Sequence, residues 1–169
     1  MKTLISKYNV AAPRYTSYPT VPYWDNDSFT TEKWRQATVS SFEMSNASDG
    51  ISLYIHLPFC ESLCTYCGCN TRITKNHQVE VPYINAVLKE WELYISLFEE
   101  KPVLKEVHLG GGTPTFFSAE NLALLMNGIF KYAEIHPQAE FSFEGHPGNT
   151  RKDHLDTLFQ LGFKRLSLG

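Results

Sequence analysis

The chain has 169 residues, 43% hydrophobic and 20% charged, with a formal net charge of −3 at pH 7, which suits one globular domain of ordinary size. The mild negative charge gives no reason to expect nucleic acid or an anionic membrane surface as a partner. No apolar run approaches the length of a membrane-spanning helix, and the N-terminus lacks the apolar core of a secretory signal. The expected compartment is therefore the cytoplasm, where structural disulfides are rare and four cysteines need another role.

Residues 12–24 carry Pro13, Pro19 and Pro22 among Tyr, Thr and Ser, and predict an extended aromatic-rich arm. Thr30 or Thr31 caps a short helix reaching about Phe42, and residues 45–50 form a polar linker. Residues 1–50 thus make an arm and a short helix. From Ile51 onward strand and helix patterns alternate.

Residues 51–57 are a short β-rich apolar run ending at Pro58, read as a buried strand. The cysteine-rich loop follows directly. Residues 79–98 space Val79, Tyr83, Val87, Trp91, Tyr94 and Phe98 at helical intervals, with Pro82 tolerated in the first turn. Residues 103–109 form a second strand closed by a loop, Gly110-Gly111-Gly112-Thr113-Pro114. Ser118, with Asn121 three positions on, starts a helix whose buried face is Leu122, Leu125, Met126 and Ile129. A third strand at 140–144, a helix at 153–161 stopped by Gly162, and a fourth strand at 165–168 complete the series.

This alternation predicts a parallel sheet wound by right-handed crossovers, an α/β fold forming part of a (β/α) barrel over residues 51–169. Functional groups in such folds gather at the carboxyl ends of the strands. The cysteine loop, the glycine loop and Glu144 all fall there. A final strand without a covering helix leads to the further expectation that the chain is the N-terminal piece of a longer protein.

All four cysteines, 60, 64, 67 and 69, lie within ten residues. Cys60, Cys64 and Cys67, spaced by three and then two residues, can wrap one loop around three corners of an iron–sulfur cubane, leaving one iron open for a reacting ligand. A structural zinc site using all four thiolates is one alternative, although the single residue between Cys67 and Cys69 is short for zinc. A redox pair at Cys64 and Cys67 is another.

The pattern of Cys60, Cys64, Tyr66 and Cys67 after the first strand, with Gly110 to Pro114 after the second, resembles the radical S-adenosylmethionine superfamily. Within it the sequence is similar to the oxygen-independent coproporphyrinogen III oxidase family. That closer likeness rests on Pro13-Arg14-Tyr15-Thr16-Ser17-Tyr18-Pro19-Thr20, Tyr54-Ile55-His56-Leu57-Pro58-Phe59-Cys60, Cys67-Gly68-Cys69-Asn70, Gly110 through Thr115, and Arg165 through Gly169. Related haem chaperones typically lack the arm and carry Asp-Phe after the third cysteine.

The resemblance implies a [4Fe–4S] cluster on Cys60, Cys64 and Cys67, with S-adenosylmethionine chelating the fourth iron. It implies reductive cleavage of that cofactor and oxidative decarboxylation of two propionates of coproporphyrinogen III, giving protoporphyrinogen IX. It also implies a reducing, flavodoxin-like electron donor. Tyr66 matches the aromatic position beside the adenine, or else is a packing tyrosine. Gly110, Gly111, Gly112 and Thr113 match the loop meeting the methionine amino group, where a missing Cβ admits a ligand close to backbone. Glu144 matches a cofactor-contacting acid, or is a solvated strand-end carboxylate. The familiar continuation is Val-Asp-Pro, and this chain has Gly145-His146-Pro147, with His146 open to being a surface residue.

Tyr54 and His56 share one face of the first strand and would point toward the cofactors, His56 being otherwise a satisfied core histidine. Cys69 is kept near the site by the family without ligating the cluster, or is an inert small residue. Tyr54, His56 and Cys69 are the candidate catalytic groups, and Arg14 in the arm is the candidate propionate contact. His77, His108, His136 and His154 show no ligand spacing and receive no role. A haem-binding chaperone without decarboxylase activity is the rival reading.

Overall fold

The computed structural model describes residues 3–9 and 23–169. Arg14 and nearly all of the expected arm lie outside those residues. Contacts divide the chain into two compact units, residues 1–35 and 36–169.

In the first unit Thr3 caps the short helix α1 (Leu4–Tyr8), its hydroxyl accepting from Ser6 N. Thr30 Oγ1 accepts from Lys33 N at 3.1 Å and so starts α2 (Thr31–Ser45), which runs one turn beyond the expected end at Phe42. The reason lies in the second unit. There Phe42 is buried and stacks on Phe98 with ring centroids 3.8 Å apart. Asn46 accepts from Val103 N at 2.8 Å and donates to Lys101 O at 3.0 Å. A tertiary anchor thus extends the helix past its own weak amphipathic pattern.

Strand β1 (Ile51–Leu57) follows. Two-residue strands β2 (Phe59–Cys60) and β3 (Arg72–Ile73) pair in parallel and were not expected. Helix α3 (Glu80–Ile95), β4 (Val103–Gly111), α4 (Ala119–Phe130), β5 (Glu134–Gly145), α5 (Lys152–Gln160) and β6 (Phe163–Leu168) complete the order. Four strands make an open sheet, β1-β4-β5-β6, parallel throughout. This is the parallel α/β sheet of a partial barrel.

Alternation along each strand decides the two faces. Ile55, Leu57, Leu104, Val107, Leu109, Phe141 and Phe143 are buried together with Ile84 and Trp91 of α3, the apolar face of α4, and Leu158 of α5. Each such side chain contributes roughly 1.5–3 kcal/mol of transfer free energy. Trp91 Nε1 donates to Ile129 O at 3.2 Å inside this layer and ties α3 to α4. The expected cap on α4 is present, with Ser118 Oγ accepting from Asn121 N at 3.2 Å.

Glu80, at 2% exposure, adds a polar tie between the same helices. Its Oε1 accepts from His77 Nδ1 at 2.6 Å, and Oε2 accepts from Ser118 N at 2.9 Å and Asn121 Nδ2 at 2.7 Å. The carboxylate therefore holds the start of α4, and the loop before it, against the start of α3.

The bounds of three strands also differ from expectation. β4 runs through Gly110 and Gly111, read above as loop, because β1 lies alongside and pairs His56 with Gly110 and Leu57 with Gly111. β5 begins at Glu134 rather than 140. Its first half lacks alternation and contains Pro137, yet Glu134 N donates to Pro102 O at 2.8 Å, and Val103 and Leu104 pair with it before the register slips. β6 begins at Phe163, right after Gly162, whose φ of +95° ends α5 as expected.

Candidate active site

The cysteine loop is closed at its base by β2 and β3. Arg72 N donates to Pro58 O and Thr74 N to Cys60 O, both at 2.8 Å. Cys60 is buried, Cys64 and Cys67 are half-buried, Cys69 is exposed, and all four are free thiols. Cys67 N donates to Cys64 O at 3.2 Å, which curls the loop between those two.

The glycine loop is drawn against this segment by backbone bonds. Gly112 N donates to Leu57 O at 2.8 Å and Thr113 N to Phe59 O at 3.0 Å. A Cβ on Gly112 would sit 2.7 Å from the Pro58 carbonyl carbon and oxygen and 3.0 Å from Cys60 Sγ. Gly111, at φ +111°, would place one 2.8 Å from the His56 ring, and Gly110 one 3.0 Å from Tyr54 and 3.1 Å from His108. Glycine is thus required here for approach to the cysteine loop and the sheet's polar face.

Thr113 Oγ1 stands 3.3 Å from Cys60 Sγ. Burial pushes the Cys60 thiol up, the Thr113 hydrogen bond pulls it down, and the Cys67 and Cys64 thiols push it up again. Burial, then Cys67, raises Cys69. Thiolates are the ligand type that iron–sulfur clusters take, and three cysteines share this one short loop, so the donor set suits a metal centre. Among the described residues, no three His, Cys, Asp or Glu side chains stand at ligating spacing. The loop supplies three thiols on a short closed segment without holding their sulfurs in a ready-made coordination geometry.

The polar face of the sheet continues the site. The exposed phenol of Tyr54 and the ring of His56 lie opposite the core side of β1, as alternation predicts. His56 Nε2 lies 2.8 Å from Asn70 O and Nδ1 lies 3.1 Å from Tyr54 Oη. A carbonyl only accepts, so Nε2 carries the hydrogen and Nδ1 accepts from the phenol. Burial, then Glu144 and Cys69, holds the Tyr54 phenol above its ordinary pKa, which keeps it a donor. His56 therefore links β1 to the cysteine loop, one residue from Cys69.

His108, given no role from sequence, lies between Tyr54 and Ser142 in the paired strands. Its ring stacks on Tyr54 with centroids 5.8 Å apart, Nδ1 is 2.7 Å from Ser142 Oγ, and Nε2 is 3.4 Å from Glu144 Oε1. The available signal was alternation, since His108 is two residues from Gly110 on the face opposite Val107 and Leu109.

The turn after β5 explains Gly145 and His146. Thr115 Oγ1 donates to Asn149 Oδ1 at 2.8 Å and accepts from Thr150 Oγ1 at 3.0 Å and from His146 N at 3.3 Å. A Cβ on Gly145 would meet Thr150 Oγ1 at 2.8 Å. A valine there would expel that hydroxyl. His146 is half-buried, and its Nδ1 accepts from Gly148 N at 3.1 Å, so it braces the turn. Thr115, also missed from sequence, joins the glycine loop to the segment carrying Glu144. Tyr66 is 77% exposed, apart from the packed layer.

Residues 54–169 match the radical SAM superfamily. The chain is 35% identical over 166 residues to the oxygen-independent coproporphyrinogen III oxidase of Synechocystis sp., and 37% identical over 166 residues to that of Escherichia coli strain K12. Each alignment covers 98% of this chain and 35% of the relative, so the chain spans about a third of their length. A protein of the same name from Mannheimia haemolytica is 37% identical over 145 residues, covering 85% of this chain and 94% of the relative. The solved coproporphyrinogen III oxidase of Escherichia coli, described as a radical SAM enzyme, superposes with a TM-score of 0.78 at 34% identity, over 92% of this chain and 34% of that one.

Proposed function

The chain belongs to the radical SAM superfamily, and from that premise we propose that it carries the cofactor site for oxygen-independent oxidation of coproporphyrinogen III to protoporphyrinogen IX. The observation carrying this reading is the close seating of the glycine loop on the cysteine loop, with Glu144 on the adjoining polar face. The names of the relatives support the substrate.

Membership in the superfamily implies a [4Fe–4S] cluster and S-adenosylmethionine. The cluster would be held by Cys60, Cys64 and Cys67, and S-adenosylmethionine by Tyr54, Tyr66, Gly111, Gly112, Thr113 and Glu144. When bound, the two cofactors supply the one-electron chemistry that no protein side chain here provides. This chain's residues do the rest. Thr113 offers its hydroxyl to Cys60 and so favours the thiolate. Gly111 and Gly112 keep side-chain bulk away from the cofactor contact. Glu144 offers a carboxylate to a cationic amino group or to ribose hydroxyls.

Tyr54, His56 and Cys69 are the proposed catalytic groups, supported by the hydrogen-bond chain from the phenol through His56 to Asn70. Arg14 is the proposed partner of a substrate propionate. Each propionate would become a vinyl group by losing CO₂, one proton and two electrons, the proton and one electron ending in the 5′-deoxyadenosine product and the second electron passing to an electron acceptor. A flavodoxin-like donor and a cytoplasmic setting complete the proposal, the latter supported by four free thiols.

Anaerobic purification followed by iron, sulfide and product analysis tests it. Protoporphyrinogen formed together with 5′-deoxyadenosine and methionine is the expected result. Transfer of haem without those products would point to a haem carrier instead, and a colourless zinc-loaded protein would overturn both readings.

A further inference from the structure

Beyond the motif residues, we propose that His108 is a positioning residue of this site, fixing the Glu144 carboxylate for S-adenosylmethionine while Ser142 holds its ring in place; this rests on the cofactor reading above. The argument is one of donors and acceptors. An ionised carboxylate only accepts, so the contact from His108 Nε2 to Glu144 Oε1, at 3.4 Å, requires the hydrogen on Nε2. Neutral imidazole then has a bare Nδ1, which accepts from the Ser142 hydroxyl at 2.7 Å. The short bond fixes the ring and the longer one aims the acid.

The ring is held in its plane as well. Tyr54 stacks on it at 18° between planes, and Gly110 leaves the space that a methyl would take 3.1 Å from Nε2. Strand pairing places Tyr54, His108 and Ser142 in one row across β1, β4 and β5. Glu144 is two residues beyond Ser142 on the same face. His108 and Glu144 keep 36% and 44% of their side-chain surface exposed, so the carboxylate is free to turn away from a ligand unless something holds it. A residue buried only for packing would not present both ring nitrogens to polar partners along an open face.

The test compares S-adenosylmethionine affinity, by equilibrium binding, in anaerobically reconstituted holoprotein with cluster iron measured alongside. His108→Ala and His108→Asn should weaken binding about tenfold, the loss expected for a hydrogen bond to a charged group. His108→Gln, whose amide nitrogen reaches the place of Nε2, should return to within about threefold of wild type, whereas asparagine reaches only the place of Nδ1. Cluster iron should stay unchanged in all three, which separates positioning from misfolding. Equal weakening by Gln and Asn would overturn the proposal in favour of packing. Glu144→Gln separates the two levels. If it weakens binding while His108→Ala does not, the role of His108 is overturned and the site stands. If Glu144→Gln also leaves binding unchanged, the cofactor reading of Glu144 falls and the proposal with it.

Discussion

Alanine at Gly112 will loosen the cysteine loop, and the four glycines of the site form an internal series that tests why. Gly112 has no unusual backbone angle, so the issue is space. Its new methyl would lie 2.7 Å from the Pro58 carbonyl carbon and 3.0 Å from Cys60 Sγ, against a resting separation of about 3.5–4.0 Å between carbons. The first obstacle is backbone, which has no rotamer to yield. Moving it would also strain the bonds from Gly112 N to Leu57 O and from Thr113 N to Phe59 O. Overpacking of this size costs about 1–3 kcal/mol, a sizeable part of a stability of roughly 5–15 kcal/mol. Gly111→Ala meets the His56 ring at 2.8 Å and must also hold φ at +111°, adding about 1–3 kcal/mol of backbone strain. Gly110→Ala meets ring atoms of Tyr54 and His108 first, so it should lower S-adenosylmethionine affinity more than cluster content. Gly68 lies in the cysteine loop itself with nothing within 4 Å of a Cβ, so Gly68→Ala should stay within about 0.5 kcal/mol of wild type. Iron and sulfide per chain, together with denaturant midpoints, read the series. A Gly112→Ala protein with wild-type cluster content and stability would refute the steric argument.

The cysteines separate by the same iron assay: alanine at Cys60, Cys64 or Cys67 should each abolish the cluster, and at Cys69 should spare it, whereas equal loss at Cys69 would indicate a four-thiolate site. Glu80→Ala strips the acceptor from Ser118 N, Asn121 and His77 in a buried setting and should destabilise by about 2–4 kcal/mol in denaturant unfolding. Glu80→Gln, which keeps one acceptor oxygen, should lose less, and equal losses would show that the hydrogen bonds are not the cause. His154 is fully buried, and burial reinforced by the Arg151 guanidinium lowers its pKa below the ordinary 6.5. The unfolded chain therefore binds more protons, so this histidine leaves stability unaffected above about pH 6.5 and erodes it as the pH falls below that value. His154→Asn keeps an acceptor for Arg151 N and should flatten the slope of stability between about pH 6.5 and 5; an unchanged slope would exclude His154 as its source.

Local chemistry was legible in the one-dimensional chain. Cys60, Cys64 and Cys67 are candidate ligands by residue type and spacing, and alternation in Ile51–Leu57 separates Ile55 and Leu57 from Tyr54 and His56 before any partner strand is known. The cap at Ser118 and the stop at Gly162 involve only neighbours in sequence. What escaped depends on residues far apart. Pairing with β1 makes strand out of Gly110 and Gly111, and Asn46 lengthens α2 through contacts with residues more than fifty positions away. The base of the cysteine loop is a ribbon between Phe59–Cys60 and Arg72–Ile73, too short for either piece to show a period.

The sequence by itself determined which side chains could hold a cluster, which face of each core strand turns inward, and that strand and helix alternate. Only the tertiary structure decided that His108 meets Glu144, that Thr115 braces the turn behind it, and that the glycines press on Cys60 and His56. Ligand type and side-chain alternation are properties of a residue and its nearest neighbours. Strand register is set by packing across the whole sheet, and register chooses which polar groups become neighbours.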